Sequence, residues 1–598
     1  MVSSLLYALV LSVLALGSYL YPTRHTPHAP HGPNNDVPIF MRAPSQGYPP
    51  AYPMNGTHGA VTCEVDVCSF VGTYLLAKGG SATDAATGAS ICVGVMHAYH
   101  SGIGGGGFAL VKTNQSEPIM IDYREKAPRG AHQDMFVGLP IEEMYHGGLS
   151  IAVPGEIRGW EAMHKLYGKL PWADLIMPSV TIARRGFRIP RQLKMAMDVL
   201  DGLICNAPRL NETYCVNGKP KSEGETVHLP DLADTLEAVA RDGPDAFYRG
   251  PIAERTVAAV QERGGSMTMQ DMAEYKVLYR PAQSIPYRNK YRVWSTSVPS
   301  SGAVVLSALR TLEHYPEKAF ESNDVLATHR MIEAVKFAYG ERTRYGDPAF
   351  LKNVTGYEAE AISAAAGATR YNKIDDFGTH PVSYYNPALE DSGEDHGTSH
   401  INAVDASGMA VSITTTVNLW WGSAVQTEDG ILLNDDMDDF STPGTPNQFG
   451  YEPSRANYIE PGKRPLSSMS PMMVEDLHTG ELKLIAGSAG GSRIITANLQ
   501  MVYSYLSSDG RVSMQEVIDR PRWHNQLLPD VTYYEYHSPN VPSLPGFNNV
   551  TVAALTALGH DPVWFEPGSS AAQAIQRVGR AWVTASELRQ PEARGGAF

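Results

Sequence analysis

Residues 399–416 read Ser-His-Ile-Asn-Ala-Val-Asp-Ala-Ser-Gly-Met-Ala-Val-Ser-Ile-Thr-Thr-Thr, a pattern of strand, turn and strand. The segments 399–404 and 409–416 are rich in β-branched residues, which favours extended structure. Asp405-Ala-Ser-Gly408 between them contains residue types that are typical of turns. This stretch therefore predicts two neighbouring antiparallel strands.

Helical and strand-like patterns alternate on both sides of this pair. Ser81-Ala-Thr-Asp84 has the form of a capping box with Asp in place of Glu, and the Ala-rich stretch that follows to about Tyr99 predicts a mostly buried helix. Further helical periodicity lies in residues 160–185, 231–241, 324–339 and 514–519, and further strand candidates are residues 482–486 and 581–584. We find no repeat with a period of 20–50 residues. The order predicts a layered α/β protein with antiparallel pairing.

The bulk properties of the chain are those of a folded globular protein. Its 598 residues are too many for one simple core and favour about three or four domains. Hydrophobic residues make up 43% of the chain and charged residues 19%, which argues against intrinsic disorder. The net charge of -15 argues against a dedicated nucleic-acid binder, because such proteins usually present a basic face.

The N-terminus has the character of a targeting segment. Leu5 to Leu20 is an almost unbroken apolar run, shorter than the ~20 residues that span a bilayer comfortably. No Lys or Arg precedes it, so a cleaved signal peptide and a retained signal-anchor over residues 1–21 are both open. Residues 22–58 are rich in proline and predict a linker, within which the regularly spaced His25, His28 and His31 favour solvated chain over a metal site.

Two further features support the secretory pathway. Five Asn-x-Ser/Thr sequons are candidate glycosylation sites, and they begin at Asn55, Asn114, Asn211, Asn353 and Asn549. An oxidising compartment would permit disulfides among the five cysteines, and the absence of Cys-x-x-Cys argues against a zinc ribbon or a thioredoxin-like motif. We expect a protein that is secreted, or anchored at the cell surface or vacuole by its N-terminal segment.

Gly102-Ile-Gly-Gly-Gly-Gly107 matches the Gly-x-Gly-x-x-Gly pattern of dinucleotide-binding sites. Such a site requires a strand, a glycine turn and then a helix. Here the glycines follow a predicted helix and precede the strand-like Phe108-Ala-Leu-Val-Lys112. The better interpretation is therefore that the glycines allow two backbone segments to approach closely, and a neighbouring ligand is left open.

An ordered series of motifs resembles the γ-glutamyltransferase family. Asp395-His-Gly-Thr-Ser-His400 is similar to the self-cleavage junction of that family. The remaining matches are residues 102–108, 123–129, 152–159, 414–418, 420–422, 434–440, 465–469, 487–491 and 522–529. The resemblance covers about residues 59–598 and implies the N-terminal-nucleophile fold, an αββα sandwich of two stacked, mostly antiparallel sheets between helix layers. It also implies self-cleavage of a zymogen between Gly397 and Thr398, into a large subunit (59–397) and a small subunit (398–598).

The resemblance implies that Thr398 is the nucleophile. A threonine hydroxyl needs a nearby base, and cleavage before Thr398 would create an α-amine with a reference pKa of about 7.7–8.0. One residue would then supply both nucleophile and base. Gly490 and Gly491 are implied to donate backbone N–H groups as an oxyanion hole. Thr416 is implied to assist Thr398 through a hydrogen bond to its amine or hydroxyl.

The same resemblance implies a cradle for the glutamyl head group. Arg124 would bind the substrate α-carboxylate, which a guanidinium can do bidentately, and Asp439 would accept the α-ammonium. The polar groups that would complete the cradle are Asn418, Ser467 and Ser468. Asp436 stands where relatives often carry Glu or Gln, so its contact with the ammonium is an open expectation.

Other positions bear on disulfides and on the balance of reactions. The sequence separation of Cys68 and Cys92 resembles that of a disulfide pair in animal relatives. Cys205 and Cys215 bracket a short loop that a second disulfide could close. Cys63 would then be unpaired. Trp420 is Tyr in some relatives, and the composition of residues 441–450 fits either a mobile lid or a plain surface loop.

The resemblance implies an enzyme that cleaves γ-glutamyl amides such as glutathione and its conjugates. A γ-glutamyl ester on Thr398 would pass to water or to an amino-acid or dipeptide acceptor. No cofactor and no metal are expected, and no nucleic-acid partner. The alternatives are a cephalosporin-type acylase that uses the same threonine and an inactive, unprocessed homologue with a binding role.

Overall fold

The computed structural model describes residues 54–316, 324–386, 388, 390–391, 397–444 and 452–598. The predicted segment 1–21, residues 22–53 of the predicted linker and residues 445–450 of the predicted loop lie outside them. Among the described residues, no helix combines the length and the apolar character that crossing a bilayer requires.

Two seven-stranded antiparallel sheets form the centre of the protein. In spatial order, the strands of the first sheet are Gly596–Ala597, Gly59–Thr62, Ser399–Asp405, Ala410–Thr416, Gly106–Lys112, Ile119–Asp122 and Leu278–Pro281. Those of the second sheet are Asn55–Gly56, Ala581–Ser586, Ala571–Val578, Leu482–Ala489, Met472–Asp476, Tyr291–Ser295 and Gln283–Tyr287. Both sheets therefore combine strands from before and after Gly397.

Four smaller sheets lie outside this pair. Their paired strands are Phe187–Arg188 with Thr226–Val227, Cys215–Val216 with Lys219–Pro220, Glu390–Asp391 with Glu452–Pro453, and Trp523–His524 with Thr532–Glu535 and Pro562–Phe565.

The predicted strand pair lies in the middle of the first sheet. Ser399 pairs with Thr415 and Val404 with Ala410, so the register is continuous along both strands. The turn is closed by Asp405, whose carboxylate accepts hydrogen bonds from the backbone N–H of Ser407 (2.8 Å) and, with its other oxygen, of Ala82 (3.0 Å). The turn thus also anchors the start of the helix that packs on this sheet.

The two sheets pack face to face through an apolar layer, and helices cover both outer faces. The residues of the layer are Ala60, Leu110, Trp294, Val404, Ala410, Met473, Leu482, Ile485, Ile575 and Trp582. Alternation along a strand sends Val404 into this layer and Ile401 and Ala403 to the helix side. The predicted αββα arrangement is confirmed.

The described residues also form twenty α-helices. The α-helices are Asp66–Ala77, Ala82–Met96, Ile141–Tyr145, Glu156–Tyr167, Trp172–Arg185, Arg191–Val199, Asp201–Ile204, Pro208–Tyr214, Pro230–Asp242, Asp245–Tyr248, Pro251–Glu262, Met269–Ala273, Gly302–Leu312, Val325–Arg342, Val354–Ala361, Ala364–Tyr371, Val382–Tyr385, Arg493–Ser507, Met514–Asp519 and Asn549–Ala557. Single 3₁₀ turns lie at Gly148–Ser150 and Arg455–Asn457.

Most predicted helices are present, and one is wrong in extent. The capping box of Ser81 and Asp84 starts the helix Ala82–Met96, with both reciprocal hydrogen bonds formed. The single helix predicted over residues 160–185 is two helices, Glu156–Tyr167 and Trp172–Arg185. The chain is extended at the cap residues Gly168 and Pro171 between them, and proline favours a new helix start over a continuing helix.

Candidate active site

The ends of several strands meet at one edge of the double sheet. Thr398 precedes the first residue of its strand, and Ser399 pairs with Thr415 on the next strand. Thr416 pairs with Gly106 on the strand Gly106–Lys112, and Asp122 ends the next strand of the sheet, Ile119–Asp122. The segments attached to these strand ends therefore line the same edge of the sheet as Thr398.

The glycine run allows this edge to form. A Cβ atom on Gly105 would overlap the carbonyl oxygen of Thr416, and one on Gly104 or Gly107 would overlap the carbonyl oxygen of Leu432 or Thr414. The glycines join a helix to a strand, as the sequence predicts, and the close backbone approach is confirmed. The order of elements does not match a dinucleotide-binding turn.

The peptide bond between Gly397 and Thr398 is held from the carbonyl side. The Thr416 hydroxyl donates a hydrogen bond to the Gly397 carbonyl oxygen at 2.5 Å and accepts one from the Asn418 N–H at 2.7 Å. Gly397 has a φ of 44°, where a Cβ would overlap the Asn418 carbonyl oxygen, so only glycine fits. In the uncut chain Thr416 therefore contacts the carbonyl of Gly397, whereas the sequence analysis expected a bond to Thr398.

The Thr398 hydroxyl faces a strand-to-helix turn of the second sheet. It accepts a hydrogen bond from the Gly490 N–H at 2.8 Å, and Thr398 is 8% exposed. Gly490 and Gly491 both have positive φ angles, and the helix Arg493–Ser507 starts two residues later. Backbone N–H groups at the start of a helix carry partial positive charge. The structure thus brings Thr398 and the predicted oxyanion residue Gly490 into direct contact.

Arg124 lies in a buried cluster of carboxylates. Its guanidinium donates hydrogen bonds to the carboxylates of Asp436 and Asp439, and its Nη1 lies 3.3 Å from Glu125 Oε2. The sequence analysis assigned Arg124 and Asp439 to opposite groups of one substrate, and here they pair with each other. The direct contact of Asp436 with Arg124 was not expected.

Burial changes the protonation of the neighbouring carboxyl groups. It raises the pKa of Glu125 to about 7, although the Arg124 charge opposes this. The pKa of Asp435 is raised well above its usual range by burial and by the nearby Asp438 and Asp436. The cluster therefore carries less negative charge at neutral pH than its number of carboxyl groups implies.

Asparagine and backbone groups connect this cluster to Thr416. Asn418, which also bonds Thr416, donates from Nδ2 to the Asp435 carbonyl at 3.3 Å. The Asn434 side chain accepts the N–H of Asp436 at 3.0 Å and donates to the carbonyl oxygen of Gly104 at 2.7 Å. Hydrogen bonds thus link the Gly397 carbonyl to the backbone of Asp435, the residue before Asp436.

The two predicted serines are buried and contact Ser301 and Arg342. The Ser468 hydroxyl accepts a hydrogen bond from Arg342 at 3.1 Å, and the Ser467 carbonyl accepts one from Ser301 at 2.6 Å. Arg342 also donates from Nε to the Ser301 hydroxyl at 3.0 Å. Sequence reasoning missed Arg342, because an arginine in the last turn of a helix is ordinarily exposed.

Both candidate disulfides are present, Cys68–Cys92 and Cys205–Cys215, and Cys63 is buried and free. The sequon asparagines Asn55, Asn114, Asn353 and Asn549 are exposed, and Asn211 is half-buried. A glycan could therefore be attached at four of the five positions without rearrangement.

Sequence comparisons with known proteins identify one family, and a structural comparison shows the fold. The family model described as Gamma-glutamyltranspeptidase matches residues 68–597. The chain is 39% identical over 526 residues to a glutathione hydrolase of Aspergillus flavus, covering 87% of this chain and 85% of that protein. It is also 39% identical to a glutathione hydrolase proenzyme of Arthroderma benhamiae, covering 89% and 91%. A cephalosporin acylase structure from Bacillus halodurans has the same fold (TM-score 0.78, 24% identity, covering 92% and 98%).

The buried Arg124 cluster predicts a strong coupling between charges. Removing one partner of a buried ion pair costs about 3–5 kcal/mol, because the other charge stays buried and unpaired. We expect Arg124→Met to lower the free energy of unfolding by about that amount, and the addition of Asp436→Asn to restore part of it. Denaturant unfolding in a Thr398→Ala background, where a single chain unfolds, measures both.

The control is Arg255→Met, which breaks a pair with Asp429 in which the arginine side chain is 39% exposed. Exposed pairs contribute about 0–1 kcal/mol. An Arg124→Met variant no less stable than this control would contradict the coupling.

Proposed function

The chain belongs to the gamma-glutamyltranspeptidase family, and we propose that it is a γ-glutamyltransferase and glutathione hydrolase that cleaves itself before Thr398. The observation that carries the proposal is the pair of contacts on the Gly397–Thr398 peptide, from Thr416 to the carbonyl and from Gly490 to the hydroxyl. The family match and the names of the relatives support the same activity.

Self-cleavage proceeds as an N-to-O acyl shift. The Thr398 Oγ attacks the Gly397 carbonyl carbon, and the hydroxyl proton passes to the departing nitrogen, which becomes the α-amine of Thr398. The oxyanion that forms on Gly397 is stabilised by the Thr416 hydroxyl, which the Asn418 N–H orients. Water then hydrolyses the ester and leaves a Gly397 carboxylate and a free N-terminal threonine.

The mature site uses the same groups for turnover. The α-amine of Thr398 takes the hydroxyl proton as Oγ attacks the γ-carbonyl of a γ-glutamyl amide. The N–H groups of Gly490 and Gly491 stabilise the oxyanion at the start of the helix Arg493–Ser507. The amine product takes the proton and leaves, and the γ-glutamyl ester passes to water or to the amine of an amino acid or dipeptide.

The charged groups around Arg124 suit a zwitterionic head group. The carboxylates of Asp436 and Asp439 can accept hydrogen bonds from a substrate α-ammonium. The α-carboxylate of the same substrate takes guanidinium N–H groups now held by the aspartates. Further polar contacts would come from Asn418, Ser467 and Ser468. An α-linked peptide lacks the free carboxylate and would leave part of the site unpaired.

Maturation and export follow from the same proposal. Residues 59–397 and 398–598 form a heterodimer of two subunits from one precursor. The segment 1–21 directs the chain to the secretory pathway, either as a signal peptide or as an anchor at the cell surface or vacuole. The two disulfides and the exposed sequon asparagines support export.

The first prediction concerns the cut itself. We expect the purified protein to contain a fragment whose N-terminal sequence is Thr398-Ser399-His400, and Thr398→Ala to remain a single chain because the attacking oxygen is absent. Denaturing gels with N-terminal sequencing of each band measure this. A wild-type chain that stays uncut would favour the inactive homologue with a binding role.

The second prediction isolates Thr416. Thr416→Val removes the donor to the Gly397 carbonyl, and loss of one oxyanion donor typically slows a reaction by about 10²–10³-fold. Thr416→Ser keeps the hydroxyl and should cleave within about tenfold of the wild-type rate. The measurement is the time course of fragment appearance after synthesis. Equal rates for the valine and serine variants would rule out this role.

The third prediction concerns the substrate. We expect γ-glutamyl-p-nitroanilide to exceed α-glutamyl-p-nitroanilide in kcat/KM by at least about 10²-fold, because buried groups built to bind the head group reject substrates that leave them unpaired. Arg124→Lys should raise KM for the γ-linked substrate, and Arg255→Lys should not. Preference for a glutaryl cephalosporin over both anilides would instead identify an acylase.

A further inference from the structure

Glu64, His97 and His100 form a buried group beside the strand that carries the nucleophile. Glu64 follows the strand Gly59–Thr62, and His97 caps the C-terminus of the helix Ala82–Met96. Glu64 Oε1 lies 3.4 Å from His100 Nε2 and 4.0 Å from His97 Nδ1. One ligand atom from each of the three residues lies within 4.8 Å of the other two.

The polar atoms of this group lack partners. Among the described residues, no hydrogen-bond partner is found for five atoms of this group. They are both ring nitrogens of His97, both ring nitrogens of His100, and Glu64 Oε1. A buried polar atom left unpaired destabilises the folded state. Five such atoms in one place are unusual, because buried polar groups are normally satisfied. This arrangement suggests that the three side chains bind a ligand that lies between them.

A second group of the same composition shows the contrast. His329, Glu333 and His560 are also buried and close together. There, His329 Nδ1 and His560 Nε2 share a hydrogen bond of 2.7 Å, and His329 Nε2 contacts the Asp375 carbonyl at 2.8 Å. Glu333 accepts a hydrogen bond from Thr379 at 2.7 Å. This second group is satisfied by protein atoms alone.

We propose that Glu64, His97 and His100 bind a divalent transition-metal ion of the zinc class. Two imidazole nitrogens and a carboxylate oxygen are a common ligand set for such ions. Bonds of about 2.0–2.1 Å in a tetrahedron place ligand atoms about 3.3 Å apart, close to the 3.4 Å and 4.0 Å observed. A single ion would satisfy one atom of each side chain.

The group lies next to the start of the strand Ser399–Asp405. The side chains of Ser399 and Gln590 lie beside the Glu64 carboxyl group. Ser399 follows Thr398 directly, so an ion here would fix the start of the nucleophile strand.

The site lies outside the proposed reaction, for which no metal is expected. None of its three ligands contacts the Gly397–Thr398 peptide through a hydrogen bond in the structure. Its role is structural: it joins the end of one strand, the end of one helix and the segment that leads into the glycine run.

Metal analysis of the full-length, untagged protein tests the site. We expect one tightly held equivalent of Zn²⁺ per chain after dialysis, and less than about a fifth of an equivalent in His100→Ala and Glu64→Gln. The matched control His560→Gln should keep the ion, and so should a variant with His25, His28 and His31 all changed to Ala. Added Zn²⁺ should raise the Tm of the metal-free wild type and not that of His100→Ala.

Substitution with Co²⁺ gives a readout that needs no variant, since a tetrahedral site produces intense visible absorption. No bound Zn²⁺ and no Co²⁺ spectrum in the wild type would overturn the proposal, as would metal content unchanged in both ligand variants. If His100→Ala fails to fold, Glu64→Gln and the Co²⁺ spectrum decide. Cleavage before Thr398 is scored in the same samples, so failure of this site and failure of the proposed function are distinguished.

Discussion

The backbone contact between the glycine run and the strand Ala410–Thr416 is the constraint from which the active edge is built. No side chain fits at Gly105, because its Cβ would overlap the Thr416 carbonyl oxygen. The contact fixes the end of that strand, and the pairing of Ser399 with Thr415 fixes the nucleophile strand against it. The position of the Thr416 hydroxyl on the Gly397 carbonyl is therefore set by the sheet. A hydrogen bond held by sheet register needs little reorganisation when charge develops on the carbonyl oxygen that it contacts.

Electrostatics at this edge depends on a small number of buried charges. Arg124 is the cation that Asp436 and Asp439 face, and burial favours the neutral form of Asp435 and Glu125. A low-dielectric environment strengthens the interaction of each remaining charge with its neighbours. A charged group that enters this edge therefore interacts strongly with the ions already present there.

The sequence predicted the layers of the fold and the family, and it failed where distant segments meet. Local signals sufficed for the central strand pair and the capped helix after Ser81, and resemblance supplied Thr398. The break at Gly168–Pro171 was missed because both flanks have helical periodicity. Two features depend on contacts between residues more than a hundred positions apart. One is the pairing of Arg124 with aspartates that were expected to bind the substrate ammonium, and the other is the burial of Arg342. Such contacts have no local pattern in one sequence.

The shared sheets have a consequence for the life of the mature enzyme. All five cysteines lie before residue 216, so no disulfide can join the two products of a cut at Gly397. Each product still contributes strands to both sheets, and neither retains a complete sheet alone. Refolding after the proposed cut would require two incomplete chains to find each other, whereas the uncut precursor folds as one chain. The proposed cut would therefore make the unfolding rate the quantity that sets how long the two-chain protein persists.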